Sequence, residues 1–251
     1  MKALIDRRFW LTVAALALLY PFYGLCAPVG QWQWAGGGLE QAVRVSLVLT
    51  AAALLIVIAI GTPIAWSLKS APPKERLAFE AIVLLSILMP PLALGLLLIL
   101  AFGPTTAIGQ ALLDLGIPTS NSDTAFIATQ IYASFGYYVL AATAAFESVP
   151  SELERSAALL GLSPWEVFKR ITLPLARLGL AGAVSLAWVR ALGEFGAVMV
   201  TSYYPHGLPV QLWVNLQDGG LAAVMPLLTL FLIAALPLPW ALHILARRHH
   251  A

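Results

Sequence analysis

Two ionisable residues stand where a membrane would ordinarily exclude them. Arg190 and Glu194 lie within an apolar run of about Leu175 to Val200, in Trp188-Val189-Arg190-Ala191-Leu192-Gly193-Glu194-Phe195-Gly196-Ala197. At positions i and i+4 of a helix they share one face. A lone charge in a bilayer is expensive, and a mutual ion pair is far cheaper. The pair has two readings, a structural lock between helices or subunits and the lining of a solute pathway. Spacing alone leaves both open. Gly193 and Gly196 thin the neighbouring face and favour close approach of another helix. At about 1.5 Å per residue, Arg190 stands roughly 24 Å along the helix from Pro174, in the outer half of a bilayer.

Other pathway candidates are Pro90 and Pro91, which remove two backbone donors in mid-span, and the polar stripe Gln130, Ser134, Tyr137 and Tyr138. A packing kink and tyrosine-rich packing are their alternatives. His206 reads as a surface turn residue, and His249 and His250 have no partners at metal-ligand spacing. The chain has no G-x4-G-K-[ST] phosphate loop, no H-E-x-x-H and no G-x-S-x-G. ATP binding by the first device, and hydrolase chemistry by the others, therefore have no support.

The second constellation is a polar island from Glu147 to Pro174. It holds Glu147, Glu152, Glu154 and Glu166, four of the 12 acidic residues, with Arg155, Lys169 and Arg170. Its local pattern is helix, turn, helix. Ser151 precedes Glu154 by three, the capping-box spacing. Gly161 marks a C-terminal stop, and Ser163 caps a second short helix with Pro164 at its first position. The island is either an ordinary helical loop or a handle gripped by another protein.

Gly161, nine residues, Ile171, one residue, then Leu173-Pro174 resembles the G-x9-I-x-L-P half of the EAA motif. That motif belongs to permease subunits of binding-protein-dependent ABC importers. The Glu-Ala-Ala half falls on Arg155-Ser156-Ala157, where only the second Ala is kept and Glu154 stands one place early. The resemblance implies a type I importer fold and a coupling helix in the region of about 147–172 that docks on an ATP-hydrolysing subunit. Glu154, Arg155, Ser156, Ala157, Gly161, Ile171, Leu173 and Pro174 would belong to that docking region, with Ala157 as the small residue against the ATPase. Arg-Ala-Leu-Gly-Glu-Phe-Gly-Ala also resembles the fifth-span sequence of the oxyanion branch, the molybdate/tungstate and sulfate permeases, and Pro90-Pro91 with Gly95 is similar to the third-span pattern. The partners implied are a second copy of the chain, two ATP-binding cassette subunits carrying ATP and Mg, and a periplasmic or lipid-anchored substrate-binding protein. Phosphonate, iron or polyamine are the alternative solutes. A secondary transporter or channel explains the charged pair but not the island.

The elements that position these groups are apolar. Of 251 residues, 60% are hydrophobic and 10% charged, and mean hydropathy is +0.86. That composition makes an all-α polytopic membrane protein the expectation, one permease domain over 1–251 without an appended soluble domain. Six spans are expected at about Phe9–Cys26, Ala42–Leu68, Phe79–Phe102, Thr124–Phe146, Leu175–Val200 and Leu221–Leu245. An uncleaved first span is preferred to a signal peptide, since no small-x-small site is clear. Ala107–Leu115 reads as a short interfacial helix, Thr201–Gly220 as an external loop, and Trp32 and Trp34 as interface residues. Twelve of the 14 basic residues, all but Arg44 and Arg190, fall on one side if both termini are inside. The positive-inside rule then sets both termini and the island in the cytoplasm, in a cytoplasmic (inner) membrane. The net charge of +2 gives no sign of a nucleic-acid partner, and the single Cys26 excludes an internal disulfide.

Overall fold

A computed structural model describes residues 7–26 and 38–248 of the chain. Lys2, Trp32, Trp34, His249 and His250 lie outside the described residues, so the readings placed on them stand as expectations. Every element among the described residues is helical. They are α1 (Arg7–Leu19, continued by a 3-10 turn Tyr20–Cys26), α2 (Leu39–Lys69), α3 (Pro73–Leu88), α4 (Pro91–Phe102), α5 (Ala107–Asp114) and α6 (Asp123–Glu147). They continue as α7 (Ser151–Leu159), α8 (Pro164–Val167), a π-helical turn (Phe168–Thr172), α9 (Leu173–Leu192), α10 (Gly196–Thr201), α11 (Leu208–Ala235) and α12 (Pro237–Arg248).

Four helical stretches are long and apolar enough to cross a membrane: Leu39–Lys69, Asp123–Glu147, Pro164–Leu192 and Leu208–Leu245. A fifth crossing requires α3 and α4 together, and Phe9–Leu25 is a shorter apolar helix. The central packing is α2, α6 and α9. Small residues set its closeness: a Cβ on Gly179 of α9 would come within 2.5 Å of the Ala145 Cβ on α6. The core along these helices includes Val57, Tyr138, Val139, Ala142, Phe146, Ala187 and Leu192. The Tyr138 hydroxyl hydrogen-bonds that of Thr62 at 2.7 Å.

Two expected spans and one expected loop are revised. The third is broken, not gently kinked: α3 and α4 meet at 110°. A proline disfavours helical backbone in the residue before it, and Met89 (ψ 127°) and Pro90 (ψ 136°) are accordingly extended. Pro91 then starts α4, where its missing N–H costs nothing. The fifth span ends at Leu192, and Gly193-Glu194-Phe195 separates it from α10. The expected loop Thr201–Gly220 is helical from Leu208, and the break falls at Gly220 (φ 65°), a backbone state open mainly to glycine. Asn215 spans that break, its side-chain amide donating to the Ala223 carbonyl at 3.2 Å.

Candidate functional site

The two broken helices meet. Gly95 of α4 sits against α10, where a Cβ would lie 2.9 Å from the Ala197 Cα and carbonyl oxygen. Gly196 sits against α4, where a Cβ would lie 2.8 Å from the Pro91 Cβ. Gly193, expected to admit a neighbouring helix, instead ends α9, and the nearest atom outside α9 is a Phe231 ring carbon at 3.9 Å. Side-chain-free backbone at Gly95 and Gly196 is therefore what lets two short helix pieces pack directly.

Glu194 lies at this junction with its side chain wholly buried. One carboxylate oxygen accepts from Arg190 and the other from the Ala197 backbone N–H at 2.8 Å. It thus balances the half-buried Arg190 and satisfies one orphan donor at the start of α10. Arg190 is the more open partner, at 23% exposure, with its guanidinium 5.6 Å from the Tyr137 ring centre. The arrangement is an ion pair whose carboxylate is sequestered and whose partly exposed guanidinium faces an aromatic ring.

The structure brings Pro90, Pro91, Arg190 and Glu194 to one junction, but Gln130 and Ser134 turn into the chain's own interior. Gln130 donates to the Thr50 hydroxyl at 2.9 Å and to the Ala191 carbonyl at 3.0 Å, and its carbonyl oxygen is buried without a partner. Ser134 donates to the Gln130 backbone carbonyl at 2.7 Å and is fully buried. Among the described residues no three His, Cys, Asp or Glu side chains come together as a metal site.

The polar island folds as helix, turn, helix. Ser151 opens α7 without a capping bond, and Pro150 stands at the cap position. The reason is that Glu154 does not reach back to Ser151. Its two oxygens accept from the Lys69 ammonium and the Thr172 hydroxyl, each at 2.6 Å. Gly161 ends the first helical piece at φ 90°, the left-handed state that glycine adopts without strain. Ser163 and Glu166 form a complete capping box. Hydrogen bonds from the Ser163 backbone N–H and hydroxyl, with Arg170 nearby, hold the Glu166 carboxyl below its ordinary range.

Ala157, which the resemblance sets against a partner, is buried against its own chain. It shares the inward face of α7 with Glu154, three residues earlier. The outward residues are apolar: Leu159 is 89% and Leu160 83% exposed. Arg155, Ser156 and Gly161 are exposed beside them, Ile171 is half-buried, and Leu173 and Pro174 lie exposed at the start of α9. Phe168 anchors the segment to the bundle, its ring centre 4.7 Å from Trp66, 5.4 Å from Trp165 and 5.9 Å from Phe146. Lys69, Thr172 and Phe168 went unnoticed in sequence. Lys69 lies 85 residues from Glu154, beyond any local spacing rule.

At the opposite end, α6 and the segment after α10 are tied by polar bonds. The Asn121 N–H donates to the Thr201 carbonyl at 3.0 Å, and the Ser202 hydroxyl to the Ser122 carbonyl at 2.9 Å. Thr129 and Thr201 share a buried bond of 2.7 Å. His206 is half-buried and pairs with Gln211 at 3.0 Å.

Residues 58–249 match the family described as binding-protein-dependent transport system inner membrane component. A protein of Haloferax volcanii described as a probable molybdenum ABC transporter permease is 34% identical over 231 residues, covering 88% of this chain and 83% of that one. The molybdate/tungstate transport system permease protein of Thermococcus kodakarensis is 29% identical, covering 74% and 70%. Among solved structures, a chain of the bacterial alginate ABC transporter, in complex with its pentasaccharide-bound periplasmic protein, superposes with a TM-score of 0.74 at 19% identity over 96% of each chain. The fold is that of a type I ABC importer permease. With a family match over most of its length and relatives similar across most of theirs, this multi-pass chain belongs to the inner-membrane components of binding-protein-dependent ABC transport systems.

Proposed function

We propose that this chain is the membrane-spanning subunit of an ATP-driven importer for an oxyanion, molybdate or tungstate foremost and sulfate next. The observation that carries the solute class is the 34% identity to the molybdenum permease relative across 88% of this chain. The partly exposed Arg190 beside Tyr137 supports it, since a guanidinium is a donor group suited to an oxyanion. Two copies would enclose the path, with the junction of α4 and α10 near its gate. Because the basic residues cluster at the island end, that end is read as cytoplasmic, together with both termini, in an inner membrane.

α7 is then the coupling helix. Leu159 and Leu160 are apolar groups offered to a partner, and two separate ATP-binding subunits, loaded with ATP and Mg, would cover them. A substrate-loaded binding protein would dock at the opposite end, near Asn121 and Tyr204. Substrate delivery and ATP-driven closure would move α7 and open the outer gate.

The test co-expresses the chain with candidate ATP-binding subunits from the same genome. The subunits should purify together, and molybdate-loaded binding protein should stimulate hydrolysis. Replacing both Leu159 and Leu160 with Ser should lower the yield of complex about tenfold while leaving insertion and thermal stability unchanged, because such surface changes cost only about 0.5 kcal/mol of fold stability. A chain that purifies alone and moves solute without ATP overturns the proposal.

A further inference from the structure

Glu154 has both carboxylate oxygens committed inside its own chain. Lys69 Nζ donates to one at 2.6 Å and Thr172 Oγ1 to the other at 2.6 Å. The Lys69 and Glu154 side chains are 14% and 20% exposed, and Thr172 is buried. A pair so placed is screened far less than a surface ion pair, and charge-assisted bonds of this length are strong and directional.

The positions of the two donors matter more than the bonds themselves. Lys69 is the last residue of α2, and Thr172 immediately precedes α9. These two helices, with α6, make the central packing of the bundle. α7 packs chiefly on α8 and the π-helical turn, elements of its own segment. Between α7 and the end of α2 lies a cavity of about 470 Å³, bordered by Trp66, Lys69, Glu154, Arg155 and Thr172. α7 itself reaches α2 beside this cavity through the Lys69 bond, in parallel with the apolar route by which Phe168 of the π-helical turn packs on Trp66.

We propose that Glu154 is a positioning residue that transmits the movement of α7 to α2 and α9 through Lys69 and Thr172, and that it is not a contact for the ATP-binding subunit. The inference rests on the reading of α7 as a coupling helix. Phe168 holds the segment to the bundle by packing, while the carboxylate sets the direction in which α7 pulls. Leu159 and Leu160 meet the partner, and Glu154 on the other face relays the load.

The experiment uses the full complex in proteoliposomes with its binding protein and radiolabelled molybdate. Uptake and ATP hydrolysis are measured on the same vesicles. Glu154→Gln keeps an acceptor for Thr172 but removes the charge, Lys69→Met removes the donor, and the swap Lys69→Glu with Glu154→Lys rebuilds the pair reversed. In each single variant the ATP-binding subunit should stay bound and hydrolysis should continue, while uptake per ATP falls at least about fivefold. The swap should recover most of the wild-type ratio, and thermal unfolding of the single variants should stay at the wild-type midpoint, which a merely structural loss would lower.

Wild-type uptake per ATP in both single variants overturns the proposal. So does loss of the ATP-binding subunit from either, because Glu154 would then shape the docking surface. A swap that folds, holds its partner and still fails to recover the ratio overturns it as well. Absence of ATP-dependent uptake in the wild-type complex itself would instead overturn the importer reading, and the role of Glu154 with it.

Discussion

Glu194 serves two partners at once, and that makes the pair separable by substitution. It balances Arg190, and it accepts from the Ala197 N–H where α10 begins. Arg190→Met strands a wholly buried carboxylate and should cost about 3 kcal/mol in thermal unfolding of the purified complex. Adding Glu194→Gln removes the stranded charge but keeps an acceptor for Ala197. The double variant should therefore be more stable than Arg190→Met alone, although it carries one change more. A double variant no more stable than the single would show that the two residues are not coupled. The i, i+4 spacing made this pair legible in sequence. The cap was not legible, because it exists only if α9 stops at Leu192, and a glycine beside a glutamate is weak punctuation. Glu154 shows the same limit. Its place in the polar island was evident, but its partner lies at the end of another span.

Among the elements, hydropathy located the apolar runs and could not say where they break. Two prolines signalled a kink in the third run, and extended backbone at Met89 and Pro90 turned it into a 110° corner. The stretch Thr201–Gly220 reads as an external loop in sequence, and it contains the polar residues Gln211, Asn215, Gln217 and Asp218. In the structure Gln211 donates to Asn215 at 2.8 Å, and Asn215 bridges the Gly220 break. Gln211 and Asn215 are satisfied within the helix, while Gln217 and Asp218 lie exposed on it. The α4–α10 contact depends on two missing side chains. Gly95→Val would drive a Cβ to 2.9 Å from Ala197 backbone atoms, which cannot yield as a flexible side chain would. The expected cost is about 1–3 kcal/mol, read as a lowered midpoint of thermal unfolding. Gly182→Val, where a Cβ meets nothing within 4 Å, serves as the control and should leave the midpoint unchanged. Equal shifts for both variants would contradict the close approach.

Across the whole molecule, the two ends differ in chemistry. One carries the polar island, the Lys69–Glu154 pair and the Arg76 bonds to Glu80 and Glu147. The other carries neutral polar bonds between the start of α6 and the segment after α10. The junction of broken helices lies along the path between them. A machine fuelled at one end and loaded at the other would be built this way, and family membership was readable from the island; the orientation read from the basic residues belongs to the proposal. The solute class was readable only through the local likeness of Arg190–Ala197 to the oxyanion branch, which the molybdenum permease relatives match, because the pocket that selects among oxyanions would lie mainly on a separate binding protein. The measurement that bears most directly is uptake of radiolabelled molybdate into proteoliposomes holding the complete complex. Accumulation should require ATP inside and binding protein outside, be competed by tungstate, and stop when either protein partner is omitted. Accumulation that persists without the ATP-binding subunits, or a complex that hydrolyses ATP and moves no oxyanion, would contradict it.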